Sequence, residues 1–320
     1  MFRSFFIYIS KAAWARKIVT RWPVAWRAAS RFIAGERLED ALQTTRSLNQ
    51  KGMAVTLDHL GEHTTNPREA RQATQHILDI LEAIDESGLR ANVSLKLTQI
   101  GLALGYEICR ENLAMILERA RQCQTFVRLD MEDYPWVDST LQLYRELVAE
   151  FGPETVGVVI QSYLYRSEAD VRDLAAYGVR VRLCKGAYKE PPEVAYPKKR
   201  DVDANFDRLA DLLIDHSVSA GRPEVSRDGK TPPIPAIATH DDLRVKHVKE
   251  TIQQKGYPKH AVEFQMLNGI RRDLQEQLVG EGFPVRIYVP YGTEWYPYFM
   301  RRLTERPANL WFFISNYFRR

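Results

Sequence analysis

Short apolar segments alternate with longer amphipathic segments along most of the chain. The apolar segments, rich in Val, Ile, Leu and Phe, predict β-strands over residues 53–57, 92–97, 125–131, 156–161, 179–184, 234–239, 262–266 and 285–289. Between them, apolar residues recur at three- and four-residue spacing, and this pattern predicts helices over stretches such as 68–86, 111–122, 140–150 and 241–255.

The regular alternation of strand and helix predicts the fold. Eight such repeats over roughly 250 residues favour an α/β fold with a closed (βα)8 TIM-type barrel, here with extra N-terminal helices. An open doubly wound sheet is the alternative on the pattern alone. The proline-rich segment 188–226 is interpreted as an elaborated loop followed by a helix. We expect residues 1–51 to form a helical arm packed on a barrel made by residues 52–320.

The charge is concentrated at the N-terminus. Residues 1–34 contain seven of the 45 Lys and Arg residues and no acid, so the rest of the chain carries 38 basic against 41 acidic residues. A nearly neutral body argues against nucleic acid as a partner. The leader is best interpreted as helices packed on the body, with a break at Pro23. A mitochondrial transit peptide and a membrane-surface helix bearing Trp14, Trp22 and Trp26 stay open.

Other composition features limit the function further. No apolar run of about 18 residues exists, so no transmembrane helix is predicted. The three cysteines Cys109, Cys123 and Cys184 form no disulfide framework, which favours a reducing compartment. His59 and His63 have the four-residue spacing of zinc ligands on a helix, but Gly61 lies between them and no third ligand is evident. We therefore predict no metal site.

Polar residues fall near the ends of seven predicted strands. They are Lys96, Asp130, Gln161, Arg182 with Lys185, Thr239 with His240, Gln265 and Tyr288. The carboxyl ends of barrel strands meet at one face, where such enzymes place their active sites. We therefore expect these side chains to line one shared ligand site.

The residue types indicate the ligands. Arg182, Lys185 and the turn at Gly186 and Ala187 suit a phosphate-bearing cofactor, and no G-x-G-x-x-G follows a strand to support a Rossmann site. The amides of Gln161 and Gln265 suit the rim of a heteroaromatic ring. After the last strand, Arg301 and Arg302 suit a carboxylate, with Glu305 one turn further on. A solvated, salt-bridged helix face is the alternative for that last segment.

Taken together, the chain resembles the monofunctional proline dehydrogenase (proline oxidase) family from about residue 52 to residue 307. The matching stretches are LDHLGE, SLKLTQIG, RLDMED, VVIQSYLYRS, VRLCKGAYKEP, ATHD, EFQMLNGIR, RIYVPYG and WYPYFMRRLTERP. The resemblance implies a distorted (βα)8 barrel with non-covalent FAD, which oxidises L-proline to Δ1-pyrroline-5-carboxylate. It also implies hydride transfer from proline C5 to the flavin N5.

The resemblance assigns roles to individual positions. Arg301 and Arg302 match the pair that grips the substrate carboxylate, and Glu305 matches a nearby acid that helps to bind the substrate. The proline pocket would be walled by Lys96, Asp130, Leu183, Tyr188 and Tyr288. Flavin contacts would come from Gln161, Arg182, Cys184, Lys185, Gly186, Ala187, Thr239, His240, Gln265 and Leu267. Glu62 matches a gating acid that pairs with Arg301, and Arg182 matches the donor to the N5 edge.

Two departures from some relatives affect only local flavin contacts: Cys184, where Val is common, and Lys189, where bifunctional enzymes have an aromatic residue. Hydroxyproline-specific relatives tend to lack a tyrosine at the position of Tyr288, so the resemblance implies proline as the substrate. The base that takes the proline nitrogen proton is not assigned.

The resemblance also implies partners: a membrane quinone as acceptor and a separate pyrroline-5-carboxylate dehydrogenase downstream. We accordingly expect a cytoplasmic protein that is peripheral at the inner membrane face. Mitochondrial targeting by the N-terminal segment stays open as the alternative.

Three other functions fit parts of the pattern. They are a folate-reductase-like flavin barrel, a pyridoxal-phosphate barrel with Lys96 as the Schiff-base lysine, and a catalytically inactive membrane scaffold that uses the cationic leader.

Overall fold

The computed structural model describes residues 23–61, 64–175 and 177–305. Eight strands are present in these residues: β1 (Ala54–His59), β2 (Ala91–Leu95), β3 (Val127–Leu129), β4 (Val156–Gln161), β5 (Val181–Cys184), β6 (Pro235–Ala238), β7 (Glu263–Leu267) and β8 (Val285–Tyr291). The helices are α1 (Pro23–Ala29), α2 (Leu38–Gln50), α3 (Pro67–Ser87), α4 (Tyr106–Gln122), α5 (Val137–Phe151), α6 (Ser167–Ala175), α7 (Lys199–Ser219), α8 (Asp242–Gln254), α9 (Arg272–Gly280) and α10 (Trp295–Glu305). Short 3-10 turns occupy Tyr134–Trp136 and Lys259–Ala261.

The strands close into a barrel in sequence order. Every neighbouring pair is parallel, and β8 pairs with β1 to complete the ring. The prediction of a TIM-type barrel is confirmed, and the open doubly wound sheet is excluded. All eight predicted strands are found, although β3 covers only three residues of the predicted 125–131. The remaining residues of that run, 125–126 and 130–131, have irregular backbone although all but Asp130 are buried, so hydrophobicity alone overestimates the length of the strand.

Local sequence signals explain where the helices begin and end. In α3, Asn66 caps the N-terminus by accepting from the backbone N–H of Glu69, and Pro67 takes the first helical position. Gly88 ends the same helix in the left-handed region, with φ of 61°. The segment predicted as loop and helix does contain a long helix, α7, after an irregular stretch.

Two helices depart from the simple strand–helix repeat. Helix α2 precedes the barrel in sequence and packs against β1 and β8, where the chain closes. Helix α10 follows β8 and contributes side chains to the cavity at the carboxyl ends of the strands. A separate apolar cluster joins α10 to α1 and to loops at the mouth, through Ala25, Ala29, Phe32, Ile33, Leu60, Ile270, Trp295, Tyr296, Tyr298, Phe299 and Met300.

The N-terminal arm is described only in part. Helix α1 starts at the first described residue, Pro23, so the predicted break there stays a prediction. Both α1 and α2 pack on the rest of the molecule. Residues 1–22, which carry most of the predicted cationic leader, lie outside the described residues. The division at residue 51 into arm and barrel stays a prediction. None of the described helices has a stretch long and apolar enough to cross a bilayer.

Candidate active site

A cavity of about 440 Å³ opens at the carboxyl ends of the strands. It is lined by Asp58, Lys96, Asp130, Met131, Val159, Gln161, Arg182, Cys184, Lys185, Gly186, Ala187, Tyr188, Ala238, Thr239, His240, Gln265, Met266, Leu267, Tyr288, Tyr298, Arg301 and Arg302. The strand-end polar residues predicted to share a site thus all border one space. Its wall combines cations, acids, amides and apolar side chains, as an organic ligand with charged groups requires.

Asp130, directly after β3, is the centre of the polar contacts. One oxygen accepts from Ser94 Oγ at 2.6 Å and Arg182 Nη1 at 2.7 Å, and the other accepts from the Tyr288 hydroxyl at 2.7 Å. Lys96 Nζ lies 3.7 Å from the second oxygen. Burial opposes ionisation of this carboxyl, but Arg182 and Lys96 together hold the pKa of Asp130 below its ordinary value. Asp130 therefore stays an anion that fixes three neighbours.

Asp58, at the end of β1, is a second acid on the same lysine. Its Oδ2 lies 3.4 Å from Lys96 Nζ, and the residue is only 1% exposed. Burial raises the pKa of Asp58, partly countered by the charge of Lys96. Oδ1 of Asp58 is buried without a hydrogen-bond partner among the described residues. The two acids beside Lys96 thus differ, since Asp130 is held ionised and Asp58 is the more readily protonated.

The hydroxyl of Tyr288 is held as a hydrogen-bond donor. Burial and the neighbouring charge of Asp130 raise the pKa of Tyr288 well above its ordinary value. Its ring lies under the guanidinium of Arg182, with 5.3 Å between Cζ and the ring centroid. Tyr288 therefore links the acidic part of the cavity to Arg182.

Arg182 and the two glutamines form the part of the cavity assigned to the cofactor. Arg182 Nε donates to Gln265 Oε1 at 2.6 Å. Gln161 Nε2 donates to the backbone oxygens of Met131 and Glu132, at 3.3 and 3.2 Å. Its Oε1 is buried with no partner within the part of the chain that the structure describes. A buried acceptor of this kind matches a ligand that brings its own donor.

The loop after β5 carries Lys185 and Gly186. Lys185 Nζ donates to Asp203 at 2.5 Å and to Asp241 at 2.6 Å. Gly186 has φ of 104°, and a Cβ there would lie 2.5 Å from the ring of Tyr163, so a larger residue would displace the loop. Glu190 holds the far side of the loop by accepting from Tyr134 N and the Tyr163 hydroxyl.

Thr239 and His240 follow β6 and are fixed by local hydrogen bonds. Thr239 Oγ1 accepts from Asp241 N at 3.1 Å, and His240 Nε2 accepts from the backbone N–H of Leu267 at 3.0 Å. Because this histidine nitrogen accepts, it carries no proton in this arrangement. Asp241 also caps α8, so the same residue orders a helix start and holds Lys185.

Helix α10 supplies the two arginines. Arg302 is 8% exposed, and its Cζ lies 5.1 Å from the ring centroid of Tyr298. Arg301 is less buried and lines the same cavity. Two adjacent guanidinium groups at one mouth can bind a carboxylate bidentately. The backbone of Glu305 ends α10, and its side chain is not described. Glu62, which the resemblance assigns as a gating acid, lies outside the described residues.

Cys184 lines the cavity as a protonated thiol. Burial raises the pKa of Cys184 to about 11, so the neutral form dominates near pH 7. No group of three His, Cys, Asp or Glu side chains suited to a metal ion is found among the described residues.

Leu183, which was predicted to wall the proline pocket, is fully buried in β5 and does not line the cavity. Its two neighbours in sequence, Arg182 and Cys184, do line it. Side chains alternate along a strand, so Leu183 faces away from Arg182 and Cys184.

The sequence-based assignment missed Asp58 and Glu263. Asp58 follows the same rule as the other site residues, since it is a polar residue at the end of a strand, in the stretch LDHLGE. Glu263 gave no such signal, because it lies at the start of β7 and belongs to the barrel interior. Its contact with Gln265 becomes visible only in three dimensions.

Comparisons with known proteins identify the family. A model of the family described as proline dehydrogenase matches residues 41–314. Proline dehydrogenase 1 of Bacillus subtilis (strain 168) is 39% identical over 319 residues, which cover 98% of each chain. Proline dehydrogenase of Deinococcus radiodurans is 42% identical over 293 residues, which cover 91% of this chain and 90% of that protein.

A solved structure agrees with this family. Proline utilization A from Bdellovibrio bacteriovorus superimposes with a TM-score of 0.79 at 26% sequence identity. The match covers 88% of this chain and 33% of that one, so the present chain spans about a third of the solved protein. The folate-reductase-like and pyridoxal-phosphate alternatives are therefore not supported. The chain belongs to the proline dehydrogenase family and is an oxidoreductase.

Proposed function

We propose that this protein is an FAD-dependent enzyme that oxidises L-proline to Δ1-pyrroline-5-carboxylate and passes the electrons to a membrane quinone. The observation that carries the proposal is the cavity itself, whose wall contains both the two guanidinium groups of α10 and the set Arg182, Gln265 and Lys185. A small amino acid and a phosphate-bearing heteroaromatic cofactor need these two sets of partners.

The residues present fit non-covalent FAD. Lys185 and the Gly186 turn offer a cation and close backbone approach to phosphate, and the buried Oε1 of Gln161 is an acceptor in need of a donor. Arg182, Thr239, His240 and Gln265 would contact the remaining polar groups, with Cys184, Ala187 and Leu267 as apolar wall. When bound, FAD supplies the hydride-accepting chemistry, and the protein supplies orientation and charge.

The roles of the substrate side follow from charge. Arg301 and Arg302 would bind the proline carboxylate, with Lys96 as a further cation in the same space. Tyr188 and Tyr288 would pack on the ring, while Asp130 keeps Lys96, Arg182 and the Tyr288 hydroxyl in fixed positions. Leu183, which faces away from the cavity, would not contact the substrate. Oxidation removes a hydride from C5 and a proton from the ring nitrogen, which leaves the C=N bond of the product. Glu62 would close the site and Glu305 would support substrate binding.

The released product needs a separate pyrroline-5-carboxylate dehydrogenase. A lipid-soluble quinone as acceptor would bring the protein to a membrane surface, and the cationic, aromatic leader over residues 1–34 is suited to that contact.

The flavin spectrum of the purified protein tests this function. We expect a yellow protein whose visible absorbance bleaches when L-proline is added without oxygen and returns when a soluble quinone analogue is added. Hydroxyproline should bleach the spectrum much more slowly. A colourless protein that takes up no added FAD would contradict the cofactor assignment. A flavin that is not reduced by proline would contradict the substrate assignment and favour a catalytically inactive scaffold.

A further inference from the structure

A chain of hydrogen bonds runs inside the barrel below the candidate active site. Glu263 and Gln265 both point inward from β7, because residues two apart share a face of a strand. The Nε2 of Gln265 donates to Glu263 Oε1 at 2.7 Å, and its Oε1 accepts from Arg182 Nε at 2.6 Å. Arg182 in turn donates to Asp130. The chain thus connects a residue outside the cavity to the cavity wall.

Small residues on the intervening strand allow this contact. Arg182 is on β5 and Gln265 on β7, so β6 lies between them. Between them β6 presents Ala236, which pairs in register with Arg182 on one side and Glu263 on the other, and Ala238, which pairs with Gln265. Their side chains are too short to fill the space between β5 and β7. The long side chain of Arg182 can therefore reach Gln265 across β6.

Glu263 decides which way the amide of Gln265 faces. A carboxylate only accepts hydrogen bonds, so the amide must turn its NH2 group toward Glu263 and its carbonyl toward Arg182. Glu263 is fully buried and is itself held by Arg286, whose Nε and Nη2 donate to its two oxygens at 2.8 and 3.0 Å. The bidentate pair fixes the plane of the carboxylate.

We propose that Glu263 is a positioning residue for the reaction: through the amide of Gln265 it holds the guanidinium of Arg182 in place at the cofactor. Arg182 is then fixed at Nε by Gln265 and at Nη1 by Asp130 and Ser94, with the Tyr288 ring beside it. This inference rests on the proposed function, because it concerns the arginine assigned to the flavin. It differs from a purely structural role, in which Glu263 would serve only as the counter-ion of Arg286.

A charge-conserving substitution separates the two roles. Glu263→Asp keeps the negative charge for Arg286 but withdraws the carboxylate by one methylene from Gln265. We expect the flavin midpoint potential to shift by about 30 mV, which is a tenfold change in the equilibrium of a two-electron couple. The Arg182 Nε–H signal of the flavin-free protein should shift as well. The control is Asp170→Asn, which breaks the ion pair between Asp170 of the outer helix α6 and Arg166. It should change neither the midpoint potential nor the Arg182 Nε–H signal.

A double-mutant cycle tests the path through Gln265. If Glu263 acts through this amide, Glu263→Asp should cause no further shift in a protein that already carries Gln265→Ala. Should Glu263→Asp fail to fold, Glu263→Gln takes its place in the same cycle, where only its non-additivity with Gln265→Ala is read because this variant also removes the counter-ion of Arg286. Circular dichroism checks the fold of each variant. An unchanged potential in the single variant, or a shift that adds in full to that of Gln265→Ala, overturns the inference. A wild-type protein without flavin contradicts the proposed function instead.

Discussion

At the scale of single residues, the arginines that line the cavity lie in different surroundings, and we expect them to have different roles. Both Arg302 and Arg182 are buried, but Arg302 lies on helix α10, whereas Arg182 lies on a strand and is bonded to an acid and an amide. The first has the surroundings of a carboxylate-binding group and the second those of a group held in one orientation. Substitutions at the two positions should therefore affect different measurements.

Replacing Arg302 by Ala should raise KM for proline about a hundredfold and leave the flavin bound, because an Arg–carboxylate contact contributes roughly 2–5 kcal/mol when one partner is removed. Arg302→Lys is the matched control, since it keeps the charge but loses the planar guanidinium group. Its KM for proline should lie between the values of the wild type and of Arg302→Ala. Steady-state kinetics and the flavin spectrum check both. A KM near that of the wild type would contradict the carboxylate assignment.

Replacing Arg182 by Met should instead change flavin affinity or midpoint potential more than KM for proline. The aliphatic part of the side chain is retained, while the donors to Gln265 and Asp130 are lost. Fluorescence titration with FAD and a redox titration measure the two flavin quantities. A large KM effect with an unchanged flavin would place Arg182 in the substrate wall.

His59, at the end of β1, makes stability depend on pH. Burial, with a smaller contribution from the charge of His76, lowers the pKa of His59 from 6.5 to about 4. The unfolded chain therefore takes up a proton near pH 6.5 while the folded protein does not, so stability is complete above pH 6.5 and falls as the pH is lowered toward 4. The loss is on the order of 3 kcal/mol over this window.

The variant His59→Phe tests this dependence, because it keeps an aromatic ring beside Tyr291 and cannot titrate. The free energy of unfolding, measured by denaturant titration at a series of pH values, should fall less between pH 6.5 and 4 than in the wild type. The same slope in both proteins would assign the acid sensitivity to other groups.

At the scale of elements, the position of α10 depends on the N-terminal arm. Helix α1 and Phe32 pack in the same apolar cluster as Trp295 and Phe299, and the indole Nε1 of Trp295 donates to Glu36 at 3.1 Å. The helix that carries Arg301 and Arg302 is thus held partly by residues that precede the barrel. This packing connects the stability of the arm to substrate binding.

Phe32→Ala should therefore raise KM for proline by about tenfold, in addition to a loss of stability of about 3 kcal/mol from the cavity it creates. Phe283→Ala is the matched control: Phe283 is 7% exposed, against 6% for Phe32, and lies just before β8, at the opposite end of the barrel. It should cost similar stability without changing KM. Thermal unfolding and proline kinetics measure the two effects. Equal KM changes in both variants would contradict the coupling.

At the scale of the whole molecule, the charge asymmetry bears on electron delivery. Five of the seven leader cations lie before residue 23, namely Arg3, Lys11, Arg16, Lys17 and Arg21. A deletion of residues 1–34 would also remove Ala25, Ala29, Phe32 and Ile33 from the cluster around α10. A test of membrane contact should therefore leave α1 and the residues after it intact.

Replacing those five cations by Gln should abolish flotation with anionic vesicles and leave proline-dependent bleaching unchanged. Each Lys or Arg near an anionic surface contributes about 1 kcal/mol, so the combined loss is large. Vesicles of neutral lipid serve as the control, and the binding of the wild type to them should be weaker. Undiminished flotation of the substituted protein with anionic vesicles would mean that the leader does not bring the enzyme to the membrane.

Most of the fold and much of the site could be predicted from local signals. Strand–helix alternation predicts the barrel, because both faces of a parallel sheet must be covered by helices. Polar residues such as Lys96, Asp130 and Gln265 stand out because they interrupt apolar runs at strand ends, where all eight strands meet. Asp58 obeys the same rule, since it is a polar residue near the end of β1, although the sequence-based assignment names only Glu62 in that stretch.

The sequence by itself determined the order of the elements, the face on which the chemistry lies and the residue types available there. Hydrophobic period and strand-end polarity are local properties, so no contact between distant residues is needed to find them. Only the tertiary structure decided which residues act together: that Lys96 lies between Asp58 and Asp130, and that Glu263 reaches Arg182 through Gln265. These contacts depend on barrel closure and register, which bring together side chains that are far apart in the chain.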